Sequence, residues 1–337
     1  MKKMLLLATG GTIASTGAKE GLIPTHSAHD LLEYVPELLF MASINGIDIM
    51  KVDSSNMQPE YWRDIALAVY RHYDAYDGFI ITHGTDTIGY TSAALSYMLQ
   101  GSSKPIVVTG SQKPIGYFDT DAKKNLHLAV QFALEGVGGV FVAFGGKIIL
   151  GTRAMKLRAK NYDAFVSVNY PYIAYLERAS LRVFSQHVPN NTGDFKLDTS
   201  LNTNVLLVKL YPGFQPEIFD YAALNYQGVI VESFGVGGIP FEKRDVASKI
   251  MDMALSGVSV VITTQCLEDG VNLDIYHVGK RVAGHPIISA RDMNTEAILA
   301  KLMWALGKTS NQAEVKSIME QPIAGDQNRQ VEQTLKN

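Results

Sequence analysis

Two short polar loops carry the hydroxyl groups best suited to chemistry in this sequence. TGGT, from Thr9 to Thr12, follows the apolar run Leu5–Ala8, and THGTDT, from Thr82 to Thr87, follows Phe79–Ile81. A glycine beside a threonine lets the backbone approach a small ligand closely. A threonine hydroxyl in such a loop can attack a carbonyl carbon while backbone N–H groups stabilise the oxyanion, so both loops suit nucleophilic acyl transfer.

Other chemistries have less support in the sequence. TGGT lacks the spacing and the lysine of phosphate-binding loops, and the histidines show no H-x-x-x-H or H-x-x-E-H pattern, so we expect no cofactor and no metal. The formal net charge of -3, without a basic aromatic cluster, argues against a nucleic-acid partner. We expect His83 to pack locally. The single cysteine, Cys266, is expected to be a small buried residue rather than a nucleophile.

Apolar runs that alternate with amphipathic helices predict the elements that position these loops. Near-continuous apolar character predicts buried strands at Leu5–Ala8, Ile47–Val52, Phe79–Ile81, Ile106–Val108 and Val140–Phe144. Helices are predicted to begin at Pro59 and to run from about Asp121 to Glu135, ending at Gly136. This alternation predicts right-handed crossovers and a mostly parallel, doubly wound, flavodoxin-like α/β sheet.

The length of 337 residues favours two domains. We predict a larger N-terminal catalytic α/β domain at 1–187, a linker at 188–204 and a smaller C-terminal α/β domain at 205–337. The linker is predicted from the polar, aperiodic stretch HVPNNTGDFKLDTSLNTN. Beyond it, strands are predicted at Val205–Leu210, Val229–Val231 and Val258–Ile262, followed by a helix from Thr295 to Gly307.

Polar residues follow four of the predicted strands, and ligands of open parallel sheets bind outside the carboxyl ends of the strands. Besides the threonine loops, Asp53–Asn56 and Thr109–Gln112 each follow a strand, so we expect one shared site. Taken singly, Thr12 could be an exposed turn hydroxyl, Asp86 a helix N-cap, and Lys156 one cation of a solvated cluster.

Several of these motifs together resemble a known family. ATGGTIAS (Ala8–Ser15) and ITHGTDTIGYTSAALS (Ile81–Ser96) look like the paired signatures of the bacterial-type L-asparaginases. DSSNM, VTGSQKP, RAMK, SFGVGGIP and TTQC also match, so the resemblance runs over essentially the whole chain. The apolar run after MKK ends at Ala8, too short for a signal peptide, and no stretch approaches the roughly 18 apolar residues of a membrane span. The chain is thus most similar to the type I branch, and we expect a cytoplasmic protein with no membrane partner.

The resemblance implies catalytic roles for four residues. Thr12 would be the nucleophile that forms the acyl-enzyme with the side-chain amide of the substrate. Thr85 would be the second catalytic threonine, activated through Lys156 and Asp86. Main-chain N–H groups near Gly11 and Thr85 would stabilise the oxyanion.

The resemblance also implies how substrate and subunits are held. Asp86 would bind the α-amino group, and Ser54, with Asp53 and Ser55 beside it, would bind the α-carboxylate. Members of the family form intimate dimers, often paired into tetramers, in which the second domain of one chain closes the neighbour's site. We therefore expect a homodimer or a dimer of dimers.

One residue departs from the family pattern. The family usually supplies a tyrosine from the loop after the first motif to help activate the nucleophile, and here that loop reads GAKEGLIPTHSA, with Leu22 at the equivalent position. Tyr90, Tyr117 or a water molecule are the alternatives for this role. We expect the loop Ser15–Thr25 to be mobile and to close over bound substrate as a lid.

The leading functional expectation is an L-asparagine amidohydrolase that produces aspartate and ammonia. A dual glutaminase-asparaginase remains open, because one methylene is worth only about 1–3 kcal/mol of discrimination. The tRNA-linked amidotransferase relative of the family normally brings an additional N-terminal domain, which this chain is not expected to have. A non-catalytic two-lobed amino-acid binding protein is the alternative from a different class.

Overall fold

The computed structural model describes residues 1–18, 21–178, 180–189, 193–273 and 286–328. The chain divides into two compact units. The N-terminal unit comprises Met1–Ser167 and Pro171–Thr199, and the C-terminal unit comprises Val168–Tyr170 and Ser200–Asn337. Residues 190–192 of the predicted linker lie outside the described residues.

The N-terminal unit contains the larger set of strands. Its strands are β1 (Lys3–Gly10), β2 (Ser15–Ala18), β3 (Gly21–Pro24), β4 (Ser43–Val52), β5 (Gly78–Thr82), β6 (Leu99–Gln100), β7 (Pro105–Thr109), β8 (Gly139–Phe144), β9 (Lys147–Leu150), β10 (Ala154–Lys156), β11 (Phe165–Ser167), β12 (Ala174–Glu177), β13 (Ser180–Val183) and β14 (Lys196–Leu197). The last of these lies within the predicted linker and pairs with β6.

The helices of this unit carry clear local signals. They are α1 (Ala28–Glu33), α2 (Leu38–Met41), α3 (Pro59–His72), α4 (Ile88–Met98) and α5 (Ala122–Glu135). Pro59 occupies the first turn of α3, where its missing N–H costs nothing, and α5 ends at Gly136 in the left-handed conformation that glycine favours. Short 3₁₀ turns follow several strands, at Thr12–Ala14, Ser54–Asn56 and Thr85–Thr87.

Within the described residues the main sheet has eight strands in the order β13-β12-β9-β8-β7-β5-β1-β4. The strands β4, β1, β5, β7 and β8 are parallel, which gives the flavodoxin-like order 2-1-3-4-5. Every residue of β5 and β7 is buried, because both faces of a parallel sheet are covered. The strand order reverses between β1 and β5, and ligands bind at such a switch point.

One connection differs from the right-handed crossovers expected from the sequence. The chain goes from β1 to the edge strand β4 and then back across β1 to β5. If both of these connections are right-handed, the reversal places α2 and α3 on opposite faces of the sheet. α4 links β5 to β7 and α5 links β7 to β8, so both connections cross the sheet in the same direction. Two right-handed connections would place α4 and α5 on the same face, but α4 packs against α3 and α5 packs against α2. The β7–α5–β8 connection is therefore left-handed. The long loop between Thr109 and Ala122 gives it room to cross the carboxyl edge of the sheet.

The C-terminal unit is a smaller α/β layer with its own parallel sheet. Its elements are β15 (Val205–Lys209), α6 (Ile218–Asn225), β16 (Gly228–Ser233), α7 (Val246–Leu255), β17 (Ser259–Thr264), β18 (Ile287–Ser289), α8 (Thr295–Lys308) and α9 (Gln312–Glu320). The sheet order is β15-β16-β17-β18. Contrary to expectation, Cys266 is exposed, because it lies beyond the last buried residue of β17, and its N–H donates to Thr264 Oγ1 at 3.0 Å.

In the part of the chain that the structure describes, no helix combines the length and the apolar character needed to cross a bilayer.

Candidate active site

Glycines allow three strand-end loops to touch through their backbones. A Cβ added to Gly11 would lie 2.3 Å from the Cα of Gly84, and one added to Gly84 would lie 2.5 Å from the Cβ of Ser54. No side chain fits in either gap, and Gly11 also has a φ of 76°, which favours glycine. The loops after β1, β4 and β5 are therefore in direct contact, as their positions at the strand ends predicted.

The two predicted catalytic threonines each follow one of these touching glycines. Thr12 is half-buried and opens the 3₁₀ turn after β1, while Thr85 is buried and opens the turn after β5. Thr9 Oγ1 donates to the carbonyl of Thr82 at 2.8 Å and links the two strand ends. Both threonines thus lie at the switch point of the sheet.

Lys156 contacts both partners that the resemblance implied. Its Nζ lies 2.7 Å from Thr85 Oγ1 and 2.6 Å from Asp86 Oδ1. Strand β10 pairs with β11, with Lys156 opposite Phe165, and packs against α4, the helix that follows the loop after β5. The Lys156 side chain is 16% exposed, whereas that of Asp86 is 61% exposed, so the lysine is enclosed and the carboxylate faces solvent. A lysine between a hydroxyl and a carboxylate can exchange a proton with the hydroxyl.

Ser54 is the residue of the loop after β4 that reaches this cluster. It is buried, its Oγ donates to Asp86 Oδ2 at 3.4 Å, and it accepts the Asp86 N–H at 3.3 Å. Asp53 and Ser55 are exposed and bond to each other: Asp53 Oδ1 accepts from Ser55 N at 2.8 Å and from Ser55 Oγ at 2.5 Å. Asp53 thereby caps the turn that presents Ser54.

Gln112 is a residue of the site to which the sequence assigned no role. Its Oε1 lies 3.4 Å from Thr85 Oγ1, and its backbone N–H donates to the buried carboxylate of Asp121 at 3.0 Å. The sequence signal was the position of VTGSQKP directly after a buried strand, but nothing in it indicated which side chain of that loop faces Thr85.

His83 lies behind the catalytic cluster and is fully buried. Its Nδ1 donates to the carbonyl of Gly84 at 2.7 Å, and its Nε2 is 2.9 Å from Thr91 Oγ1. Burial lowers the pKa of His83 to about 4, and the Gly84 hydrogen bond opposes this only in part. The neutral imidazole accepts a hydrogen bond from the Thr91 hydroxyl through Nε2 and donates one to the Gly84 carbonyl through Nδ1. The ring therefore holds the backbone at Gly84 in place.

The segment after Thr12 forms a β-hairpin, because β2 pairs with β3. Leu22 lies opposite Gly17 in this hairpin and is 44% exposed. Gly17 approaches the Tyr117 hydroxyl, since a Cβ on Gly17 would be 3.6 Å from it. Among the tyrosines suggested by the sequence, Tyr117 therefore lies against the hairpin. Residues 19–20 of the predicted lid lie outside the described residues.

The main-chain N–H of Gly11 already donates to the carbonyl of Val52 at 2.9 Å. An oxyanion contact from this turn would therefore use a different N–H, and that of Thr12 is the next along the chain. In the described ranges, no group of three or more His, Cys, Asp and Glu side chains is placed to hold a metal ion.

Comparison with known proteins gives matches over both units. A family model described as Asparaginase, N-terminal matches residues 3–189, and one described as Glutaminase/Asparaginase C-terminal domain matches residues 204–319. The L-asparaginase of Thermococcus kodakarensis is 43% identical over 96% of this chain and 98% of its own length. A subunit of the glutamyl-tRNA(Gln) amidotransferase of Methanosphaera stadtmanae is 36% identical over 96% of this chain and 76% of its own length.

Solved structures agree with these matches. The thermostable L-asparaginase from Thermococcus kodakarensis superposes with a TM-score of 0.90 at 42% identity, over 97% of this chain and 99% of that one. L-asparaginase I from Vibrio cholerae has a TM-score of 0.86 at 29% identity, over 97% and 99% of the two chains. The probable cytoplasmic L-asparaginase from Campylobacter jejuni has a TM-score of 0.79 at 25% identity, over 95% and 99%. With both family models matched in sequence order, the chain belongs to the asparaginase family.

Proposed function

We propose that the protein is an L-asparaginase, which hydrolyses L-asparagine to L-aspartate and ammonia through an acyl-enzyme on Thr12. The observation that carries the proposal is the Thr85–Lys156–Asp86 cluster, in which Lys156 Nζ is 2.7 Å from Thr85 Oγ1 and 2.6 Å from Asp86 Oδ1. The 43% identity to a relative named L-asparaginase, over nearly the whole of both chains, supports this substrate.

The reaction divides into two half-reactions. Thr12 Oγ attacks the side-chain carbonyl carbon of asparagine, and the C–N bond breaks, so that ammonia leaves with the proton that Thr12 gives up. Water then attacks the resulting ester, and the Thr85–Lys156 pair takes a proton from that water and returns it to Thr12 Oγ as the ester bond breaks. Aspartate is released and the Thr12 hydroxyl is restored.

The substrate's α-groups would be held by the loops after β4 and β5. Asp86 presents an exposed carboxylate that suits an α-ammonium group, and it stays oriented through Ser54 and Lys156. Ser54, with Asp53 and Ser55 beside it, is assigned to the α-carboxylate. Because the bonds of Asp53 to Ser55 shape this turn, we assign Asp53 an orienting role in that contact.

Ammonia release from asparagine and from glutamine at equal concentration tests this function. We expect asparagine to be hydrolysed at least roughly tenfold faster, since one methylene is worth about 1–3 kcal/mol. Equal rates would identify a dual glutaminase-asparaginase. Binding of aspartate without ammonia release from either amide would identify a non-catalytic amino-acid binding protein instead.

The tRNA-linked amidotransferase is a second candidate, because a relative with that name reaches 36% identity. The chain spans 76% of that relative but 98% of the L-asparaginase from Thermococcus kodakarensis, to which it is also more similar. Ammonia release from free asparagine alone, with no tRNA or second protein in the assay, favours the asparaginase.

We assign the protein to the cytoplasm and to a homodimer or dimer of dimers. The resemblance to the type I branch supports both assignments, and a structural relative from Campylobacter jejuni is named a probable cytoplasmic enzyme. Light scattering at micromolar concentration tests the assembly, and a monomer there would contradict it.

A further inference from the structure

Gln112 is held in one orientation by three carbonyl groups. Its Nε2 lies 3.0 Å from the carbonyl oxygen of Asn161, 3.3 Å from that of Ala159 and 3.5 Å from that of Arg158. Carbonyl oxygens only accept hydrogen bonds, so the amide nitrogen must face them. The oxygen of the same amide, Oε1, then faces Thr85 Oγ1 at 3.4 Å.

The backbone of Gln112 is fixed as well. Both oxygens of Asp121 lie 3.0 Å from the Gln112 N–H, and the N–H of Lys113 donates to Asp121 at 3.1 Å. Asn125 holds the Asp121 carboxylate at 3.2 Å and the carbonyl of Gly110 at 2.9 Å. Gln112 is half-buried and anchored at both ends, so its side chain has little freedom to turn away from Thr85.

The hydrogen of the Thr85 hydroxyl has a defined place in this arrangement. Lys156 lies 2.7 Å from Thr85 Oγ1, and when it carries a proton it donates to that oxygen and to Asp86. The hydroxyl's own hydrogen must then point to another acceptor, and Gln112 Oε1 is the oxygen in reach. When Lys156 is neutral, the hydroxyl can donate to its lone pair instead. Gln112 therefore favours the arrangement in which Lys156 donates to Thr85 and the Thr85 hydroxyl donates to Gln112, and in this arrangement the pair has no free site for a further proton.

We propose that Gln112 is a positioning residue that holds the Thr85 hydroxyl and the Lys156-bearing segment together and sets the pH at which the pair becomes active. Arg158, Ala159 and Asn161 follow Lys156 by only a few residues, so the Gln112 amide ties that segment directly to Thr85. Charged groups near this contact include Lys156, Asp86, Arg158 with its partner Asp163 and, at the backbone of Gln112, Asp121. The proposal rests on the amidohydrolase function above.

Two substitutions at this position separate the role from a purely structural one. Gln112→Met keeps the length and removes the acceptor and the donor, whereas Gln112→Glu keeps an acceptor toward Thr85, removes the donor to the three carbonyl groups and adds a negative charge. Lys113→Met is the matched control, because Lys113 belongs to the same loop but pairs with Asp119 at the surface. Ammonia release from asparagine is measured from pH 5 to 9, and thermal unfolding is followed for every variant.

We expect Gln112→Met to lower kcat roughly 10- to 100-fold, as a misplaced catalytic group does, with KM within about twofold. The acid limb of its kcat/KM profile moves to lower pH by about half a unit, whereas that of Gln112→Glu moves to higher pH. Lys113→Met keeps the wild-type profile. Opposite displacements in two variants are not produced by general loosening of the loop, and a poorly folding Met variant leaves the direction in Gln112→Glu to decide.

Unchanged kcat and pH profile in both Gln112 variants would overturn the proposal while leaving the asparaginase function intact. Lower kcat with an undisplaced acid limb would reduce Gln112 to a structural residue. If the wild-type protein released no ammonia from asparagine or glutamine, the proposed function would fail first, and the role of Gln112 with it.

Discussion

Thr12 and Thr85 are the residues on which the proposed chemistry depends most. We expect Thr12→Ala to leave the fold intact, because a half-buried loop hydroxyl contributes little to the core, and to lower kcat by about 10³-fold or more. Thr85→Val should have a similar effect, since valine keeps the shape but offers Lys156 no hydroxyl. The double variant should lose little beyond either single one. Ammonia release and circular dichroism measure both properties, and wild-type turnover in either folded variant would contradict the assignment.

A substitution of Lys156 tests whether this residue takes part in catalysis or is only a surface cation. Lys156→Met should lower kcat strongly and weaken substrate binding less, because Lys156 Nζ contacts the Thr85 hydroxyl directly. Its effect on stability should stay below about 1 kcal/mol, since Asp86 is 61% exposed and is not left as a buried unpaired charge. Kinetics and urea unfolding of the variant measure the two effects.

Lys160→Met is the matched control for that experiment. Lys160 is exposed and lies four residues further along the same segment. We expect this variant to behave like the wild type in both measurements. If the Lys156 and Lys160 variants have equal activity, Lys156 takes no part in proton transfer.

At the scale of elements, the β2–β3 hairpin should act as the lid of the site. It begins directly after the turn that carries Thr12, and Leu22 and Ile23 on β3 are almost half exposed, so they have apolar surface to cover a ligand. We expect tryptic cleavage after Lys19 to slow markedly in the presence of aspartate. Cleavage after the exposed Lys243 in the same digest, followed by mass spectrometry, is the internal control. Equal protection at both sites, or at neither, would indicate a hairpin that does not close.

Helix α8 contains a second feature with a measurable consequence. Glu296 is buried in its first turn, and its Oε2 is buried without a hydrogen-bond partner. Burial raises the pKa of Glu296 to about 7, and the negative charge of Glu232 adds to this effect. The folded state therefore holds a proton that the unfolded state releases above pH 4.5, so stability is lost as pH rises from 4.5 to about 7.

Glu296→Gln should remove this loss. We expect it to raise the free energy of unfolding by about 2–3 kcal/mol at pH 8 and to change it little at pH 4.5, where the native carboxyl is neutral. Urea unfolding at the two pH values measures the difference. Glu314→Gln, at an exposed position in the first turn of α9, is the control and should show no such pH dependence. An equal effect of Glu296→Gln at both pH values would show that the fold does not raise the pKa of Glu296.

Some of these elements and contacts could be predicted from the sequence alone, and others could not. The buried strands β1, β5 and β7 were predictable because continuous apolar runs have few alternatives in a parallel sheet. The left-handed path through α5 was not, since it depends on the packing of α5 against α2, a contact between segments distant in sequence. The gathering of Thr12, Thr85 and Ser54 followed from the strand ends, but the contact of Gln112 with Thr85 depends on a carbonyl-lined turn distant in sequence.

At the scale of the whole molecule, the two units should respond to pH in opposite directions. The N-terminal unit contains His83, whose pKa is lowered by burial from 6.5 to about 4. Its unfolded state binds a proton that the folded state does not, so stability is present above pH 6.5 and is lost as pH falls toward 4. Over that interval, at about 1.4 kcal/mol per pH unit, the loss is on the order of 3 kcal/mol. The C-terminal unit contains Glu296, for which the loss comes with rising pH.

Hydrogen exchange, corrected for intrinsic rates and read by mass spectrometry, can follow each unit separately. We expect protection around β5 and α4 to be weaker at pH 5 than at pH 8, and protection of α8 to be weaker at pH 8 than at pH 5. Two variants separate these groups from other titrating residues: His83→Asn keeps a donor for the Gly84 carbonyl but cannot gain a proton, and Glu296→Gln cannot lose one. Each should flatten the pH response of its own unit and leave that of the other unchanged. If either variant alters both units equally, or if both units weaken in the same direction, the pH response does not originate from these two buried groups.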